Sequence, residues 1–167
     1  MPLSFKVNNG KVTLEMPLPK EGDLTENTAE GMLVHLDGIT HLVVVDSVSS
    51  TPRAILERLL ENNQYGISSY PAFGVSCFES NTGKASFCVW VNAVNTIFDE
   101  TACGSGTSSI GVALAMSQRN SLSQDVIQPS GQVIRTIADF DLSQSKVVSS
   151  SIAGSVDVLF DGEFVTG

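Results

Sequence analysis

The sequence predicts an α+β domain in which a mostly antiparallel β-sheet curls around one central helix. Three observations lead there. Short apolar segments recur along the chain between turns rich in glycine and asparagine, as a fold of many short strands requires. Only two segments carry helical patterning. The second of these, from Gly104 to about Arg119, has no charge before Arg119 and is built largely of small residues, so it is expected to be buried on all sides.

Taken in order, Phe5–Val7 and Val12–Met16 flank Asn8-Asn9-Gly10, a strong hairpin signal because Asn and Gly tolerate positive φ. Val12, Leu14 and Met16 alternate with Thr13 and Glu15, as in a half-buried strand. Glu21–Glu30 reads as a polar loop. Met32–Leu36 and His41–Val45 form the next pair, turning at Asp37-Gly38. Thr51-Pro52 opens the first helix: Thr51 can cap it, and Pro52 lacks only an N–H that would be unpaired in any case. Ile55, Leu56, Leu59 and Leu60 then share one face, with Arg53, Glu57, Arg58 and Glu61 on the other. Phe73–Glu79 and Ala85–Val91 make a hairpin around Asn81-Thr82-Gly83. Beyond the second helix, Val126–Gln128, Gln132–Ala138, Lys146–Ser149 and Val156–Phe160 are strands, broken by Pro129-Ser130-Gly131 and Ala153-Gly154. No repeats occur, and 167 residues suit one domain.

Composition narrows the function. The net charge is −9, with no cluster of Lys or Arg, so a nucleic-acid partner is not expected. No apolar run approaches the roughly 20 residues that span a bilayer, and residues 1–11 lack signal-peptide features; neither a membrane nor export is expected, and the location expected is cytoplasmic. Cys77, Cys88 and Cys103 are an odd set without CxxC or Cys/His metal spacing, which argues against a disulfide framework and a metal site. Cys77 and Cys88 lie in strand contexts, where a free cysteine is ordinarily a small buried apolar residue.

Cys103 differs. It stands where a helix begins, followed by Gly104-Ser105-Gly106. A helix start offers unpaired N–H groups and a partial positive charge, which favour a thiolate. The same amides, unobstructed at Gly104 and Gly106, suit a carboxylate. A thiolate beside a carboxylate cradle could remove an α-proton from an amino acid. A nucleophilic thiol paired with His35 or His41 is a second reading, and an inert cysteine in a tight Gly-Ser-Gly turn a third. A P-loop is excluded because the Lys-Ser/Thr ending is missing.

The segment Glu100-Thr101-Ala102-Cys103-Gly104-Ser105-Gly106 resembles the second cysteine motif of the diaminopimelate-epimerase-like family of cofactor-independent racemases and epimerases. Gly38-Ile39-Thr40-His41 resembles that family's Gly-Asn-Pro-His segment, Val12–Pro17 its second-domain opening strand, and Phe164–Gly167 a Met-Thr-Gly near its end. The resemblance implies that residues 1–167 form a single domain equivalent to the C-terminal half of a two-domain epimerase, a sheet curled as a barrel around one central helix. It implies racemisation or epimerisation by two opposed thiols, with neither pyridoxal phosphate nor metal. Cys103 would be one thiol. Gly104, Ser105 and Gly106 would hold the α-carboxylate, His41 would line the site, and Glu100 or Asp99 would meet the α-amino group.

The family's first cysteine motif, of Met-Cys-Gly-Asn-Gly type, is absent, so the opposing thiol is expected from a complementary N-terminal half or a second copy. The former is favoured because the sequence opens at the domain boundary and stops at Thr166-Gly167. Val94-Asn95 replace the Glu-Arg that diaminopimelate epimerases carry eight and nine residues before the cysteine, and Ile39 replaces an asparagine. A lost bidentate arginine disfavours diaminopimelate; another amino acid, histidine among them, fits better. The alternatives that remain are a cysteine-nucleophile hydrolase or transferase and a non-catalytic ligand-binding domain.

Overall fold

The computed structural model describes residues 5–8, 10–19, 22–46 and 50–156. It contains eleven strands and two α-helices: β1 Phe5–Asn8, β2 Lys11–Glu15, β3 Thr25–Asn27, β4 Met32–Leu36, β5 Ile39–Val45, α1 Pro52–Glu61, β6 Ala72–Glu79, β7 Lys84–Val91, β8 Thr96–Glu100, α2 Gly104–Gln118, β9 Leu122–Ile127, β10 Val133–Asp141 and β11 Lys146–Ser155.

All the strands join one sheet in the order β1-β2-β11-β10-β9-β7-β6-β5-β4-β3, with β8 on β7. This corrects the expected barrel. The hydrogen-bonded path ends at β1 on one side and β3 on the other, so the sheet is open, and it is mixed rather than simply antiparallel. Two pairings are parallel, β5 with β6 and β7 with β9. The first arises because the chain leaves β5, crosses through α1 and returns, and a crossover of that length is how neighbouring strands come to run the same way. Hairpin signals report only local pairings, so neither parallel contact nor the failure to close was visible in them.

The two helices lie on opposite faces of the central strands. Along β5, Leu42 and Val44 belong to the apolar cluster that contains Ile55, Leu56 and Leu59 of α1, whereas Val43 belongs to the cluster around α2. A strand covered on both faces needs apolar residues at nearly every position, and Thr40–Val44 are all buried. Thr51 caps α1, accepting a hydrogen bond from the Ala54 N–H at 3.3 Å, and Pro52 opens the helix. Burial of side chains such as Leu56 and Leu59 contributes about 1.5–3 kcal/mol each.

Helix α2 is enclosed because it packs against β4, β5 and β6 as well as β9, β10 and β11. Its small residues permit the close approach: a Cβ at Gly111 would run into the Thr136 side chain. Thr136 Oγ1 is buried and has no hydrogen-bond partner. Gly111→Ala should therefore destabilise the fold by about 1–3 kcal/mol in urea unfolding, and Thr136→Ala should restore most of that loss by vacating the space. Non-rescue would place the strain elsewhere.

Several boundaries differ from expectation. A short strand, β3, lies within the expected polar loop. The edge strand β8 was not foreseen, since Asp99 and Glu100 make it polar. β11 runs through Ala153-Gly154, read as a break. Val156–Phe160, apart from Val156, and Phe164–Gly167 fall outside the described residues. No helix among the described residues is long and apolar enough to cross a membrane.

Candidate active site

The site is assembled where α2 begins. Cys103 has extended backbone geometry and is the N-cap of α2, its sulfur accepting from the Gly106 N–H at 3.4 Å. Its own N–H donates to Oε1 of Gln128 at 3.1 Å. The Gln128 amide also donates to Thr107 Oγ1 at 3.0 Å, and Thr107 Oγ1 donates to the Cys103 carbonyl at 2.7 Å. Gln128, which is buried, thus ties both backbone groups of Cys103 to the end of β9. Nothing in the sequence singled it out; a lone glutamine after a short strand carries no local signal.

His41 and Ser76 come from neighbouring strands. His41 shares with Val43 the face of β5 turned towards α2, and Ser76 shares with Phe78 the same face of β6. His41 is fully buried, and its ring lies where Gly74 leaves room; a Cβ there would collide with the imidazole. His41 Nε2 is 3.0 Å from Ser105 Oγ, and His41 Nδ1 is 3.1 Å from Ser76 Oγ. Ser105 Oγ in turn lies 3.5 Å from the Cys103 sulfur. A continuous line, Ser76–His41–Ser105–Cys103, therefore crosses from the sheet to the helix. Ser76 and Gly74 also escaped sequence reasoning, since both are ordinary residues in a strand.

The electrostatics differ from the expectation at one point. A helix start was expected to lower the Cys103 pKa, but it is raised. Burial is the largest cause and the negative charge of Glu100 acts in the same direction, together outweighing the hydrogen bonds from Ser105 and Gly106. Desolvation disfavours the charged form, and Cys103 is only 7% exposed. The sulfur is nevertheless just beneath the surface: Thr101 and Ala102 are exposed, and Gly104 and Ser105 are half-buried. His41 is depressed to about 3 by burial, so its ring is neutral at physiological pH.

Of the residues expected to bind substrate, Gly104 and Ser105 are half-buried, whereas Gly106 is buried with its N–H on the sulfur. A Cβ at Gly106 would lie 2.6 Å from Phe87 and 2.9 Å from Ser76 Oγ. Glu100, at the end of β8, is half-buried and close enough for its charge to act on the thiol. Asp99, next along the strand, points to the other face and pairs with Arg53 of α1 at 2.7 Å. His35 bonds Thr40 at 3.0 Å and stacks on Tyr70, apart from the line through His41.

The three thiols should separate in alkylation. Burial pushes Cys77 up to about 11 and Cys88 up to about 12, the latter with help from Asp99. Native protein treated with iodoacetamide at pH 8 should be modified first at Cys103, with Cys77 and Cys88 reacting only on unfolding; peptide mapping reads the order.

No protein of curated function matches this sequence. Among solved structures, the chain is similar to one described as the Bacillus anthracis phenazine biosynthesis protein, PhzF family, with a TM-score of 0.56 and 12% identity. That similarity covers 92% of this chain and 61% of the other, so the chain spans about three fifths of that protein's length. At this identity the likeness concerns the fold alone. Residues 5–164 match the family described as the histidine racemase CntK N-terminal domain. The sequence resemblance had pointed to a C-terminal half. The matched family is described as an N-terminal domain, so the expected half is not confirmed. Because this match runs across nearly the whole chain, the protein belongs to the histidine racemase CntK N-terminal domain family.

Proposed function

We propose that this chain supplies one of two thiols for cofactor-independent racemisation of an amino acid, with histidine the first candidate substrate. The observation that carries the reading is Cys103 at the N-cap of α2, one layer below half-buried Gly104 and Ser105, in a chain of a histidine-racemase family. A thiol with an ordinary pKa of 9 that burial raises further is protonated at pH 7. Cys103 therefore rests as the acid. A base on the opposite face of the substrate takes the α-proton, and the Cys103 S–H delivers its own to the α-carbon, leaving a thiolate held by the Gly106 N–H. In the reverse direction that thiolate is the base.

The amides of Gly104 and Ser105 hold the α-carboxylate, as helix N-termini hold anions, and Glu100 meets the α-ammonium group. The opposing group comes from a complementary half or a second copy. The nucleophile reading is weaker for two reasons. His41 reaches Cys103 only through Ser105, and a histidine depressed to about 3 does not form the imidazolium that stabilises a nucleophilic thiolate.

The test is isotopic. The chain joined to its complementary half, incubated with L- or D-histidine in deuterated water, should place deuterium at the α-carbon of both enantiomers. A covalent thioester in place of exchange, or no exchange with any amino acid, would end the proposal.

A further inference from the structure

The line Ser76–His41–Ser105–Cys103 has a direction. A neutral imidazole has one N–H donor and one bare nitrogen acceptor, so His41 donates to one serine and accepts from the other. If Nδ1 carried the hydrogen, Ser76 would receive it and its own O–H would need a second acceptor. Ser76 is fully buried, and His41 is its one side-chain partner among the described residues. That arrangement would strand a buried hydroxyl hydrogen, which folded proteins avoid. It would also turn the Ser105 O–H towards His41 and away from the sulfur.

The opposite arrangement leaves no hydrogen unused. Ser76 O–H donates to Nδ1, Nε2–H donates to Ser105 Oγ, and the Ser105 O–H is left to donate to the Cys103 sulfur. The packing holds the line in this shape. A Cβ at Gly74 would collide with the imidazole, and one at Gly106 would press on Phe87 and Ser76 Oγ. We infer that Ser76 is a positioning residue: through the tautomer of His41 it aims the Ser105 hydroxyl at Cys103 and so stabilises the thiolate. The relevance to turnover rests on the racemase reading above, but the arrangement itself is measurable without substrate.

Two measurements on the full chain decide it. Nitrogen NMR of histidine-labelled protein should find His41 protonated at Nε2 and bare at Nδ1; protonation at Nδ1 overturns the inference, and this needs no variant to fold. Second, the pH dependence of Cys103 alkylation, read by peptide mapping, should shift upward in Ser76→Ala. The thiolate fraction at a given pH should fall about threefold there and about tenfold in Ser105→Ala, as expected when a hydrogen bond to a charged group is weakened or lost. A merely structural Ser76 would alter the limiting rate, through access, and leave the midpoint in place; an unmoved midpoint in Ser76→Ala overturns the inference. If both measurements come out as expected while the joined halves fail to exchange α-deuterium, the racemase reading fails alone. If exchange proceeds with Nδ1 protonated, the positioning role fails alone.

Discussion

Cys103→Ala, in the chain joined to its complementary half, is expected to lower α-deuterium exchange on histidine by about a thousandfold, the middle of the range for removing a positioned acid or base. The loss should fall on kcat. On the proposed reading the carboxylate is held by Gly104 and Ser105 rather than by the sulfur, so KM should change little. Stability should fall by about 1 kcal/mol, because alanine removes the N-cap sulfur that accepts from the buried Gly106 N–H, while the backbone ties to Gln128 and Thr107 involve no sulfur and remain. Cys103→Ser is expected to be nearly as inactive as the alanine variant, since a hydroxyl is far harder to ionise than a thiol. A large rise in KM with kcat preserved would make Cys103 a binding residue and favour the non-catalytic reading of this fold. An unchanged rate would remove it from the chemistry altogether.

How much of this was legible beforehand depends on whether the signal was local. Thr51 and Pro52 announce α1 through capping chemistry confined to three residues. The turns at Gly38 and Gly83 show themselves because both glycines take positive φ, at 84° and 72°, where other residues are strained. Cys103-Gly104-Ser105-Gly106 marks the start of α2 for a similar reason: its glycines are required by close contact, a Cβ at Gly106 running into Phe87 and Ser76. What required distant segments to meet left no local signal, and His41 was set beside Cys103 only through the family resemblance. His41 and Ser105 are 64 positions apart, and only the parallel pairing of β5 with β6 sets Ser76 beside His41. The open sheet is of the same kind, since closure depends on whether β1 and β3 find each other, and no residue in either says so. The direction of the Cys103 pKa shift was misjudged because the helix-terminus rule is local whereas desolvation is a property of the whole packed core.

A second large effect lies in acid stability, and its source is His41. The folded protein takes up this proton only near pH 3, whereas an unfolded histidine does so near 6.5. Between those values the unfolded state binds more protons, so stability falls as pH falls and is whole again above 6.5. Each pH unit costs about 1.4 kcal/mol, which makes the loss from pH 6.5 to 4.5 about 2–3 kcal/mol, a large share of a typical domain's stability. The carboxylates held low by their partners, among them Asp99 beside Arg53 and Asp125 beside Arg135, act in the same direction. Their unfolded value is 3.8, however, so their contribution is lost only below about that pH. The upper part of the window is thus separable. Urea unfolding at pH 7, 6 and 5 should give a falling free energy in the native sequence and a nearly level one in His41→Asn, which starts lower at pH 7 for want of the bonds to Ser76 and Ser105. Equal slopes in the two proteins would mean that His41 is accessible to protons in the folded state, and the neutral bridge between Ser76 and Ser105 would then have no basis.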